Sequence, residues 1–93
     1  SMKRFIIEWN HLKNWDDFYN QIEKLFLPNS NLDFGRNLDA FADILCGWFW
    51  SFEEKEMIEI VWKDFEISKK YLKNIDVMEE IIQEQEHIKF IKA

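Results

Sequence analysis

Residues 28–48, PNSNLDFGRNLDAFADILCGW, run from a helix-stopping proline through a loop rich in turn formers into a short helix closed by a Gly-Trp pair. Asn37 is a good N-cap, and Leu38, Phe41, Leu45 and Trp48 recur at helical spacing on one stripe. Asp39 and Asp43 stand four apart on a different face of the same helix, with Cys46 beside them. Like charges at that spacing cost an isolated helix a few tenths of a kcal/mol. Asp39 lies in the first turn, where the helix dipole favours an anion, and Asp43, a turn deeper, gains less. Such a pair marks either a function or an ordinary solvated face.

Working outward, Arg4–Trp9 is a short apolar run bounded by Asn10 and His11, and reads as a buried strand. Asn14 caps a helix whose Trp15, Phe18, Ile22, Leu25 and Phe26 share one stripe, and Pro28 stops it. On the other side of the central stretch, Gly47 is a C′ candidate, and Trp48–Glu56 is aromatic, then acidic, with no secure assignment. Met57–Trp62 reads as a second strand and Asp64–Lys73 as a helix with Phe65 and Leu72 on one side, ended by Asn74. Asp76 is expected to cap a last helix with Val77, Met78, Ile81 and Ile82 inward. Asp76, Glu80 and Glu84 form its outer ridge, and Ile88–Ile91 is the final strand. Helical connections between short buried strands predict parallel pairing with right-handed crossovers. The expected fold is a small two-layer α/β domain, one unit over residues 2–93, with three strands and about four helices.

Composition narrows the function. The chain has 93 residues, an apolar share of 47% and a net charge of −6 from 18 acids and 12 bases. That balance argues against phosphate backbones and anionic lipid, both of which call for a basic patch. It fits a cationic partner, or solubility alone. The single cysteine rules out an internal disulfide and fits a reducing compartment. No signal peptide and no apolar run long enough to span a membrane is evident, so the expected location is cytoplasmic. Ser1 ahead of Met2 reads as a leftover of expression and is set aside. His11 and His87 have no metal-ligand spacing, and no histidine lies near Cys46 in sequence. No catalytic residue, metal or cofactor is called for.

The central stretch and its flanks resemble the barstar family of intracellular ribonuclease inhibitors, over nearly the whole length. The match rests on Leu27, Pro28, Phe34, Gly35, Asn37, Leu38, Asp39, Ala40, Asp43, Gly47 and Trp48, with Trp62, Phe65 and Ser68 in support. The resemblance implies a three-stranded parallel sheet in order 1-2-3 packed with helices, and a loop and helix that plug the active site of a basic ribonuclease. By that resemblance Asp39 and Asp43 occupy the place of RNA phosphate, and Gly35 lets the loop backbone approach closely. The partner-binding set it implies is Asp33, Phe34, Gly35, Asn37, Asp39, Ala42, Asp43, Cys46 and Trp48, joined by Glu80 or Glu84 from the last helix. Rigid carboxylates accept paired hydrogen bonds from arginine, and long-range attraction speeds encounter, an effect for which the barnase–barstar pair is itself the standard illustration.

The match has departures. The loop is longer than usual by about three residues, Leu32–Asp33 stands where the family has an aromatic contact, and Ala42 replaces a Trp. Arg36 stands at a position that is acidic in the best-known member. Three readings follow: an inhibitor of a basic ribonuclease, monomeric when free; a barstar-like protein with a different basic partner; and a small acid hydrolase using Asp39 and Asp43. The last needs a concave pocket and a carboxylate with a raised pKa.

Overall fold

The computed structural model describes residues 2–28, 35–47, 52–53 and 56–93. Asp33, Phe34, Trp48 and most of the unassigned Trp48–Glu56 stretch lie outside the described residues. The chain runs β1 (Lys3–Glu8), a 3-10 turn (Trp9–His11), α1 (Trp15–Phe26), α2 (Leu38–Leu45), β2 (Ile58–Lys63), α3 (Phe65–Ser68), α4 (Ile75–Gln83) and β3 (Ile88–Lys92). The strands form one parallel sheet in order β1-β2-β3. This is the small α/β architecture the helical connections imply.

The sheet has two unlike faces, because successive side chains of a strand point opposite ways. Phe5 and Ile7 of β1, Ile58, Ile60 and Trp62 of β2 and, less deeply, Ile88 and Phe90 of β3 belong to the main core. Phe18, Ile22 and Phe26 of α1, Phe41, Ile44 and Leu45 of α2, Phe65 of α3, and Ile75, Met78 and Ile82 of α4 complete it. Its centre is aromatic. Phe18 stacks on Trp62 at 5.2 Å and meets Phe41 edge-on at 5.5 Å, while Phe5 stacks on Phe26 at 4.2 Å. Trp62 lies fully buried, and its indole N–H is satisfied by the buried Ser68 hydroxyl at 3.0 Å. The opposite face carries the cross-strand row Ile6, Val61 and Ile91, all half-buried. Beside that row Arg4 donates to the buried carboxylate of Glu59 at 3.1 Å.

The end of β1 is tied to α1 by a side chain. The Gln21 amide of α1 accepts from the Glu8 N–H at 2.9 Å and donates to the Glu8 carbonyl at 2.6 Å. It thereby pairs both backbone groups of the last residue of β1. The same bonds fix α1 against the sheet.

Several sequence expectations are corrected. The helix expected over Asp64–Lys73 is helical only at Phe65–Ser68 and continues as turns. Mixed three- and four-residue hydrogen bonds through Leu72 keep a helix-like spacing without a regular helix, so Leu72 is still buried. Asp76 is not the cap of α4. Asn74 takes that position in the left-handed region (φ 61) with no side-chain cap bond, and Asp76 lies inside the first turn. Val77, expected inward, is 41% exposed, and Ile75 is buried in its place. Leu38 is 44% exposed. The inner stripe of α2 is Phe41, Ile44 and Leu45, with Leu38 at its margin at the open end of the helix. Trp15, expected in the core, is half-buried, with its indole N–H bonded to the Lys73 carbonyl at 3.0 Å. Strand β1 starts and ends one residue earlier than expected, and Trp9 belongs to the 3-10 turn.

Candidate functional site

Helix α2 is short but well terminated. The Asn37 side chain accepts from the Ala40 N–H at 2.8 Å, satisfying one of the first-turn donors that no helical carbonyl reaches. Gly47, with φ 88, closes the other end and donates to the Ile44 carbonyl at 3.0 Å. Gly35 has a local reason to be glycine. A Cβ there would stand 2.9 Å from the Asn37 side-chain amide, inside contact distance of the cap itself. Three residues, Gly35, Asn37 and Gly47, therefore define where α2 begins and stops.

Core burial of Phe41, Ile44 and Leu45 turns the other side of α2 outward. Asp39 is exposed and Asp43 half-buried. Among the described residues neither has a hydrogen-bonded or ion-paired side-chain partner, whereas other acids are paired: Lys3–Glu56, Arg4–Glu59, Lys63–Glu8, Lys69–Glu66 and Lys92–Glu79. Ala42 is half-buried between the two aspartates.

Helix α4 lies beside α2 in the same sense. Leu38 and Val77, near the two N-termini, line one groove of about 280 Å³ with Trp15, Tyr19, Lys73, Asn74 and Met78. At the far end the Cys46 thiol lies 3.7 Å from the Gln85 side-chain oxygen, just beyond α4. Val77 and Glu80, with Glu84 at the C-cap, are exposed and fall on one stripe of α4, the stripe whose first member lines the groove with Leu38. Glu79 points elsewhere, to Lys92 of β3. Glu80 and Glu84, like Asp76 in the first turn, have no charged partner among the described residues. Cys46 is half-buried against Gln85, and the buried His87 ring bonds through Nε2 to the Leu45 carbonyl at 2.7 Å. That bond ties the end of α2 to the start of β3.

Arg36, the unexpected cation of the loop, is turned away onto α1. Its guanidinium bonds Asn20 Oδ1 at 2.7 Å and Glu23 Oε2 at 2.9 Å. Sequence reasoning had no signal for this, because the partners are 13 and 16 residues upstream on another element.

The structure therefore brings Asn37, Asp39, Ala42, Asp43 and Cys46 onto one helix, with Glu80 and Glu84 on its neighbour. Comparison with known protein families matches residues 2–90 to Barstar (barnase inhibitor).

The chain belongs to the barstar family.

A second comparison finds a Bacillus subtilis (strain 168) protein named "Putative ribonuclease inhibitor YrdF", 33% identical over 91 residues, covering 95% of this chain and 91% of that one. The barstar match takes in β1, β2, β3 up to Phe90 and helices α1 to α4. Barstar, described as a barnase inhibitor, is an inhibitor family. Among the described residues no helix is long and apolar enough to cross a membrane.

Proposed function

We propose that this barstar-family chain inhibits a basic ribonuclease by seating α2 and the preceding loop in the cationic cleft that holds RNA phosphate. The observation that carries the reading is that Asp39 and Asp43 stand on the outward side of a capped helix without a charged partner among the described residues, while Arg36 is neutralised on α1. Carboxylates held in this way need no reorganisation to accept charge-assisted hydrogen bonds from arginine or lysine. Glu80 and Glu84 extend the same acidic surface across α4, and Gly35 and Asn37 hold its near end. Asp33, Phe34 and Trp48 are assigned to the contact by family resemblance alone. The mechanism is occlusion, with no chemistry performed by the chain, and it is expected to act in the cytoplasm as a monomer before it meets its target.

A titration of the chain against RNA cleavage by a basic microbial ribonuclease tests this. The expected result is stoichiometric loss of cleavage, with Asp39→Ala and Asp43→Ala each weakening inhibition at least about thirtyfold, the cost of truncating one side of a desolvated charge pair. Unchanged cleavage at excess inhibitor, or both variants within twofold of the parent, would remove the proposed site.

A second reading keeps the surface and changes the target. Ala42 stands half-buried between the aspartates where the family has a tryptophan, so the centre of the surface is smaller and flatter than in the usual member. A basic nuclease of different cleft shape fits that change; inhibition of such an enzyme without inhibition of a barnase-like one would select it.

A further inference from the structure

We propose that Arg36 is a positioning residue for the acidic surface: its guanidinium clasps α1 and fixes the segment from which α2 and its aspartates spring. The proposal rests on the function given above. Arg36 directly precedes the N-cap, and its backbone lies in the left-handed region at φ 50, which a side chain other than glycine seldom adopts. The fold holds it there through the side chain. Nη2 donates to Asn20 Oδ1 at 2.7 Å and to Glu23 Oε2 at 2.9 Å. Nη1 donates to the Asp16 carbonyl at 3.4 Å and lies 3.8 Å from the Asp16 carboxylate.

Asp16, Asn20 and Glu23 fall at i, i+4 and i+7, one stripe of α1. A planar guanidinium with several donors in a fixed fork sets orientation as well as distance, which a lysine ammonium does not. The element it grips is itself immobilised, by burial of Phe18, Ile22 and Phe26 and by the Gln21 bonds to β1. One residue beyond the clasp Asn37 caps α2, and three beyond it stands Asp39. The clasp also accounts for a cation beside a surface meant for a basic partner: two carboxylates, Asp16 and Glu23, answer its charge.

Two accounts of Arg36 predict opposite signs. If it is only an adverse charge, its removal speeds encounter with a basic partner and tightens binding. If it is a clasp, its removal loosens α2 and shortens the life of the complex. The test compares the full chain with Arg36→Gln and Arg36→Lys. Amide hydrogen exchange in the free protein is expected to be about tenfold faster at Ala40 and Phe41 in Arg36→Gln, unchanged in β2, and intermediate in Arg36→Lys. With a basic microbial ribonuclease as probe, dissociation is expected about tenfold faster in Arg36→Gln, with association equal or faster. Exchange within twofold of the parent, or faster exchange with unchanged dissociation, overturns the proposal. If the parent binds no ribonuclease, the inhibitor reading fails, and the exchange arm alone then decides whether Arg36 holds α2 in place.

Discussion

Replacing Asn37 by alanine removes the capping bond from the Ala40 N–H to the Asn37 side chain at 2.8 Å and a long one from the Asn37 amide to the Gly35 carbonyl at 3.4 Å, and alters no buried side chain. Loss of such a cap costs about 1 kcal/mol, with a range of roughly 0.5–2. Helix α2 has only eight residues, so fraying of one turn removes a large part of it. For a domain of this size 1 kcal/mol lowers the melting temperature by about 4–8 °C. The chemistry of the cap also predicts an order. Aspartate at the position keeps the acceptor and adds a charge that the helix N-terminus favours, so Asn37→Asp should melt close to the parent. Glycine costs only a few tenths of a kcal/mol and alanine the full amount. Urea denaturation of the three variants gives the ranking, and exchange of the Ala40 amide localises it. An alanine variant as stable as the parent, or an aspartate variant as damaged as the alanine one, would refute the cap as the device that starts α2.

Other substitutions follow from the same geometry. His87→Phe keeps an aromatic ring beside Phe52 but strands the Leu45 carbonyl, and should cost about 1–3 kcal/mol in urea denaturation, with exchange of the Cys46 and Gly47 amides rising first. Ser68→Ala leaves the buried Trp62 indole N–H without its acceptor and should cost a similar amount, about 1–3 kcal/mol, while a threonine there keeps the acceptor. Alkaline stability is also set by the fold. Burial raises the Tyr19 pKa above 10.0, and the hydrogen bond from Lys92 to Glu79 raises that of Lys92 above 10.5. Both groups hold their protons more tightly folded than unfolded, so this stability is complete below pH 10 and is lost as pH rises through the raised values. Denaturation midpoints measured from pH 9 to 12 should fall, and Glu79→Gln should flatten the part of the fall that belongs to Lys92.

Much of the fold was legible because local and tertiary signals agree. Alternating strands and helices, the Asn14 and Asn37 caps and the terminal Gly47 all lie where side-chain chemistry places them. Burial at helix margins was less legible. Leu38 and Val77 have the right phase for the core, yet both line an open groove near the N-termini of α2 and α4, a fact of tertiary packing that periodicity does not carry. The extent of α3 was overestimated because tight turns after Ser68 keep Phe65 and Leu72 on the same side, as a helix would. At the candidate site, the acids of α2 stood out by spacing, and Glu80 and Glu84 by their place on the outer ridge of the last helix; the pairing of Glu79 with Lys92 of β3 is a tertiary contact that no local pattern carries. Arg36 was read as a charge in the loop; its partners on α1 give it a structural role that no local pattern encodes.

Attraction between an acidic helix and a phosphate-binding cleft leaves a signature in rates. Exposed charges interact over about 10 Å at 0.1 M salt and much less at 1 M, so encounter driven by them slows as salt is added. The decisive measurement is the association rate with a basic ribonuclease across that salt range, for the parent chain and for the double variant Asp39→Asn, Asp43→Asn. The parent should associate fast at low salt and slow steeply, whereas the double variant should start slower, respond less to salt and dissociate faster. Equal salt dependence together with equal affinity in the two proteins would contradict the claim that these aspartates stand in for RNA phosphate.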